Sequence, residues 1–197
     1  MWFRRSDDRD WRAATFVAID FETTSADPRT AQPLSVGWVE VRDGRVQLSA
    51  ARYHVIAYDG VLPPAALPIH GLLPQDLRAG TPSEQVAEHV RAVVRDRIVV
   101  AHGAWIERAV LKRFGADAAT TVDTMAIARR LDARAGSVDR APALSAVARR
   151  FGVPSLRAHH AFGDALTTAL LLIVLATRIE RQRQGCPVDD LVRLGAR

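Results

Sequence analysis

One cysteine, Cys186, stands in 197 residues, which excludes a disulfide framework and a thiolate-bound zinc. That usage suits a reducing compartment, and a cytoplasmic location is the expectation. Lysine is as scarce: of 27 lysines and arginines only Lys112 is lysine. The opening MWFRRSDDRDW has no apolar run and no small-residue cleavage site, so no signal peptide is expected. Long hydrophobic runs are also missing. The nearest approach, Ala165 to Thr177, falls short of the roughly 20 apolar residues that span a bilayer. It follows Asp164 and runs into RIERQRQ, so it reads as a helix buried against a sheet, with no membrane partner. The chain has no internal repeat and no low-complexity segment.

What is present is an ordinary globular composition, 48% hydrophobic and 25% charged, on a length that suits one domain with a large core. The net charge of +5 and the pI near 10.5 depart from the ordinary. Arginine makes bidentate contacts to phosphate, which favours a polyanionic partner. GC-rich coding would produce the same excess, so charge supports nucleic acid without establishing it.

Two strand-like runs, near Leu34–Val41 and Val46–Val55, flank Asp43-Gly44, a strong hairpin signal. A loop rich in proline and alanine follows from Gly60 to Leu77. The stretch TPSEQVAEHVRAVVRD predicts a helix capped by Thr81, with Pro82 at its first position and Glu84 completing a capping box. RIVVAHG predicts a short buried strand ending at His102, and residues 103–114 a helix stopped by Gly115. TTVDT predicts a brief strand reaching Asp123, with helix beyond it. Leu144, Val147, Ala148 and Phe151 share a helical face ended by Gly152, and a long helix runs from about Ala161 to Gln184. Three antiparallel strands followed by alternating strands and helices give a mixed α/β sheet flanked by helices, with the first strand placed centrally.

That first strand carries the chemistry. In FVAIDFETTS, Phe16 to Ser25, side chains alternate between faces, so Asp20 and Glu22 point the same way. Two carboxylates about 7 Å apart along one strand repel each other and lose hydration on burial, and a cation between them removes both costs. A strand that simply reaches solvent at Asp20 is the plainer reading of this stretch alone. Two further sites hold matching groups. VVAHGAWIERAVL places His102 at a strand end and Glu107 early in the next helix. RAHHAFGDALTTA places Asp164 in the first turns of the long helix, five residues after His159. Singly, Asp164 reads equally well as a partner of the helix dipole, and the histidines as loop residues.

In this order and spacing the motifs resemble the DEDDh family of 3′–5′ exonucleases, which includes the epsilon proofreading subunit of bacterial DNA polymerase III. DFETT matches the first motif, AHGAWIERAVL the second, and HHAFGD the third, whose form is His, four residues, Asp. Smaller echoes are IHGL at Ile69–Leu72, VDT at Val122–Thr124 and LSAVARRFGVP. The resemblance covers about Phe16 to Leu175 and implies a ribonuclease-H-like fold. The expected division is an exonuclease domain over 13–184, an N-terminal segment 1–12 and a C-terminal tail 185–197.

The resemblance implies Asp20, Glu22, Asp164 and Glu107 as ligands of two divalent cations, Mg²⁺ or Mn²⁺, and His159, rather than His160, as general base. The product would be a nucleoside 5′-monophosphate released from a 3′ end. Softer expectations are that the backbone from Phe21 to Thr23 meets the terminal sugar, that His70 lies near the terminal nucleotide, and that His102 and Trp105 face substrate. Core packing is the rival role for the rings of Trp105 and Phe21. The expected partner is nucleic acid with a free 3′ end, single-stranded DNA favoured, in proofreading or repair, with a DNA polymerase admitted as a protein partner.

Four positions depart from the family pattern. Glu107 replaces aspartate, Gly103 replaces asparagine, Ser25 replaces glycine, and Ser35 stands where many relatives carry an acid. None removes an oxygen ligand. An RNA 3′-end exonuclease of the ribonuclease T or oligoribonuclease kind, and a catalytically dead nucleic-acid-binding module, are the alternatives.

Overall fold

In the computed structural model, which describes residues 7–62, 70–116, 120–134, 143–156 and 158–196, strand β1 (Phe16–Thr23) lies at the centre of a five-stranded sheet. On one side β2 (Pro33–Arg42) pairs antiparallel with β1 and carries β3 (Arg45–Val55) outward. On the other, β4 (Ile98–Ala101) and β5 (Thr121–Asp123) extend the sheet in parallel. Asp43 and Gly44 join β2 to β3 with φ of 53° and 67°, the left-handed pair of a turn whose twist matches its strands. The expected mixed sheet, three antiparallel strands first and the opening strand central, is therefore borne out.

Alternation along β1 divides the core in two. Phe16 and Ala18 join Val39 and Val41 under the long helix α6 (Ala161–Arg183), where Leu171, Leu172 and Leu175 are fully buried. Val17, Ile19 and Phe21 face the other way, toward α2 (Ser83–Val94) and α3 (Trp105–Arg113). By length and composition α6 could cross a membrane; here it packs on β1 and β2, as expected of a sheet-covering helix. A short helix α1 (Pro74–Arg78) interrupts the proline-rich loop, whose residues 63–69, Ile69 of IHGL among them, lie outside the described residues. Helices α4 (Thr124–Arg134) and α5 (Leu144–Arg150) complete the layer around α6.

One contact sets where α6 begins. Gly37 lies opposite Asp20 in the β1–β2 ladder, and the helix start rests directly on it. A Cβ at residue 37 would fall 2.3 Å from the Phe162 nitrogen and 2.6 Å from the Ala161 carbonyl carbon. Only a residue without a side chain allows helix backbone and sheet backbone to meet so closely.

One expectation needs correction. Thr81 does not cap α2; Pro82 occupies that position and no side chain caps the end. Thr81 is instead drawn into a bridge with Ile56, where its N–H donates to the Val55 carbonyl at 2.8 Å and its carbonyl accepts from the Ala57 N–H at 2.8 Å. A paired backbone outweighed the local capping preference. The stretch after residue 184, a tail expected either to pack or to fray, packs. It forms helix α7 (Val188–Gly195), which packs on β5 and α4. Cys186, Val188, Leu191 and Leu194 share the α6-side core with Trp11 from the opening 3-10 turn Trp11–Ala13. The Trp11 N–H donates to the Cys186 carbonyl at 3.0 Å, which ties the two ends together.

Leu191 is fully buried in that core, so Leu191→Ala should lower stability by about 2–5 kcal/mol. Denaturant unfolding measures this. A loss below about 0.5 kcal/mol, the range of surface substitutions, would show α7 to be dispensable to the fold.

Candidate active site

Asp20 and Glu22 continue the face of β1 that carries Phe16 and Ala18, which is the face where α6 begins. Asp164 lies in the first turn of α6, so the Gly37 contact brings it over the strand. Two histidines lead into that turn and do different things. His160 is the N-cap: its Nδ1 accepts from the Gly163 N–H at 3.4 Å, and its ring stacks on Tyr53 with centroids 4.6 Å apart. His159 is exposed and adopts a left-handed φ of 58°, uncommon for a residue with a side chain. Its backbone N–H donates to Asp164 Oδ2 at 2.9 Å, orienting that carboxylate. Ligand atoms of Glu22, His159 and Asp164 all lie within 4.8 Å of one another. Asp20 and Glu107 fall outside that closest group.

Glu107 arrives from the opposite side, in the first turn of α3, and is 5% exposed. The turn that aims it is built around Asp123 at the end of β5. The Asp123 carboxylate accepts from the Gly103, Ala104 and Met125 N–H groups at 2.9, 3.2 and 2.9 Å. Gly103 has φ of 72°, and a Cβ on it would sit 2.5 Å from the Trp105 ring. The indole occupies the volume a side chain at residue 103 would need. The amide expected to be missing here is thus replaced by an aromatic wall.

The carboxylates repel one another in a poorly hydrated space. Burial holds Asp20 well above the usual carboxylate range, and Glu107, Glu22 and Asp164 add to the shift in that order. Burial and then Asp164 push Glu22 up to about 7. Glu107 is raised by burial, with smaller additions from Asp123 and Glu22, while main-chain hydrogen bonds at Glu107 and Phe21 pull it back. Asp164 is raised by burial, opposed by its hydrogen bond from His159 and by both histidines. Burial and mutual repulsion raise all four, and a bound cation would relieve both.

A cleft of about 450 Å³ opens beside these groups, lined by Glu22, Glu107, His70, His102, Trp105 and His159 among others. Phe21 and Thr23 also line it, although the Phe21 ring turns edge-on to Phe114, with centroids 6.0 Å apart. The Thr23 hydroxyl donates to the Ser25 carbonyl at 2.8 Å, shaping the loop at the rim. His102 Nδ1 lies 3.0 Å from the Thr124 hydroxyl. His70 is 6% exposed, and its Nδ1 accepts from the Leu72 N–H at 3.1 Å. That bond puts the proton of the neutral ring on Nε2, which has no partner among the described residues. Trp105 is 37% exposed. All ten residues proposed from sequence therefore lie in or against one region. Three others that build it, Gly37, Asp123 and Gly103, were legible only as a strand glycine, part of the VDT echo and a departure from the family pattern.

The profile of the RNase T exonuclease family matches residues 17–172. The chain belongs to that family. The expected recognition, ribonuclease-H-like fold and enzyme class are borne out: it is an exonuclease, a hydrolase acting on nucleic acid, in a family typically dependent on divalent metal. It is 29% identical over 175 residues to a PolC-type DNA polymerase III of Thermotoga maritima, covering 85% of this chain and 12% of that one. It is 27% identical over 188 residues to the 3′–5′ exonuclease DinG of Staphylococcus aureus, covering 92% of this chain and 20% of that one. The chain thus spans a fifth or less of these curated relatives. Its fold is similar to E. coli exonuclease I (TM-score 0.72, 18% identity, 87% of this chain, 43% of that one). It is also similar to exonuclease X (TM-score 0.70, 22% identity, 92% of this chain, 99% of that one).

The raised carboxyls have a consequence for stability. A group whose folded pKa lies above its unfolded value keeps its proton in the fold after the unfolded chain has lost it, so stability falls as pH rises through that window. For Glu22 the window runs from the ordinary 4.5 to about 7, and Asp20 and Glu107 act in the same direction. The melting midpoint in EDTA should therefore fall over this range, and Glu22→Gln should flatten the fall. Equal slopes in Glu22→Gln and wild type would contradict the reading.

Proposed function

We propose that the chain is a two-metal-ion 3′–5′ exonuclease that releases nucleoside 5′-monophosphates from DNA ends. The observation that carries this reading is the convergence of Asp20, Glu22, Glu107 and Asp164, from β1, α3 and α6, beside a cleft that Glu22, Glu107 and the exposed His159 line. The donor set fits the cations. Carboxylate oxygens are hard ligands that suit Mg²⁺ or Mn²⁺, and their mutual repulsion is what such ions would relieve. When bound, divalent cations acidify the attacking water and offset the charge that develops on the phosphoryl oxygens.

The chain's own groups supply the rest. Glu22 and Asp164 form the part of the ligand set nearest His159, and Asp20 and Glu107 the deeper part. His159, exposed on its left-handed turn, takes the proton from water; an imidazole is suited to that task near neutral pH. His70, fixed by Leu72 as the Nε2–H form, offers a donor to a sugar or phosphate oxygen of the terminal nucleotide. Trp105, laid over Gly103, gives the terminal base an aromatic wall to stack on. The preference for DNA is supported by the relatives. E. coli exonuclease I is known in complex with dT13 and dA16 oligonucleotides, and exonuclease X with 5′-overhanging duplex DNA. The PolC-type relatives place similar domains in polymerases, which supports a proofreading setting.

Labelled DNA and RNA of one sequence, incubated with Mg²⁺ or Mn²⁺, test the reading. DNA should shorten from its 3′ end, and Asp20→Ala should lower the rate by about 10³-fold or more, the loss of several kcal/mol. Faster loss of RNA would move the substrate to RNA. Retained binding without turnover under either metal would leave a binding module. For Glu107, replacement by alanine should remove most activity while Glu107→Asp keeps or raises it. Equal rates in Glu107→Ala and wild type would remove Glu107 from the site.

A further inference from the structure

Ser35 is fully buried, and its hydroxyl has no hydrogen-bond partner among the described residues. A hydroxyl in that condition loses its hydration and gains nothing in exchange, so such groups are rare in folded proteins and call for a reason. The position supplies one. Ser35 lies directly opposite Glu22 in the antiparallel β1–β2 ladder, one pair beyond Asp20 and Gly37. Directly opposed residues share a face of the sheet, with Cβ atoms about 5 Å apart. The Ser35 side chain is therefore on the face of the carboxylates, beside Glu22, next to the place where α6 rests on Gly37.

The chemistry of that surrounding leaves the hydroxyl a single useful role. Glu22 lies opposite it on β1 and Val55 on β3, so the polar neighbour across the ladder is an acid, and an O–H can serve a carboxylate only as a donor. Glu22 presents two oxygens. One lies within 4.8 Å of the ligand atoms of His159 and Asp164; a carboxylate that gives one oxygen to a cation still has lone pairs on the other.

We infer that Ser35 is a positioning residue for Glu22: when a divalent cation draws one Glu22 oxygen to itself, the Ser35 hydroxyl donates to the other and fixes the carboxylate in that orientation. The inference rests on the metal-site reading above and goes beyond it, since it assigns work to a residue that touches neither substrate nor metal. Partners of this kind orient metal ligands, and their loss typically weakens metal binding by about 10–100-fold.

The test is calorimetric titration of the full chain with Mn²⁺, without nucleic acid, for wild type, Ser35→Ala, Ser35→Cys and Asp20→Ala. Cysteine keeps the shape of serine with a somewhat larger atom and is a poor donor, so it carries the test if the alanine variant fails to fold. Ser35→Ala and Ser35→Cys should bind Mn²⁺ at least about tenfold more weakly. Their melting midpoints in EDTA should match or exceed that of wild type, because without the cation each removes a buried hydroxyl that has no partner among the described residues. A serine with only a packing role would give the reverse, a lower midpoint in EDTA with unchanged affinity, and that result overturns the inference. Wild-type affinity in both serine variants, with weakened binding in Asp20→Ala, overturns it while leaving the metal reading intact. Equal titrations for wild type and Asp20→Ala overturn both.

Discussion

Backbone against backbone at Gly37 is the contact on which the site depends. The first turn of α6 sits on the sheet where β2 has no side chain, and the strand residue across from that gap is Asp20. Asp164 is carried in by the same turn. A methyl group there would displace the helix start from the sheet, and the carboxylate at sequence position 164 would move away from the one at position 22. The placing of these acids comes from the omission of an atom.

The same proximity has a cost. Acids from β1, α3 and α6 crowd a space where none is well hydrated, and the raised proton affinities of Asp20, Glu22, Glu107 and Asp164 express it. The rest of the fold offsets that cost with apolar packing on both sheet faces. It also uses backbone donors to hold individual carboxylates still, such as those that Asp123 collects around the turn before α3. Destabilised charge at the candidate site and a well-packed scaffold behind it are two halves of one arrangement.

Much of this was readable in advance because the signals were local. The two-residue period of β1 sufficed to put Asp20 and Glu22 on one face, and Asp43-Gly44 sufficed for the first hairpin. Thr81 misled because a capping preference of local origin lost to a strand-like pairing with Ile56. Whether the tail packs or frays was not readable locally, because its apolar residues meet partners such as Trp11 from the far end of the sequence. Gly37 and Gly103 could be seen as glycines, but their purpose lies in what approaches them: Phe162 in one case and Trp105 in the other. Asp123 was legible only as an echo, since its work is done on backbone some 20 residues earlier.

The position of Trp105 has a consequence of its own. Its indole shares the cleft with Glu22 and Glu107, so an emissive trivalent lanthanide seated among those oxygens would collect ultraviolet excitation from the ring beside it. The pocket would then announce its own filling as visible light, with no dye attached.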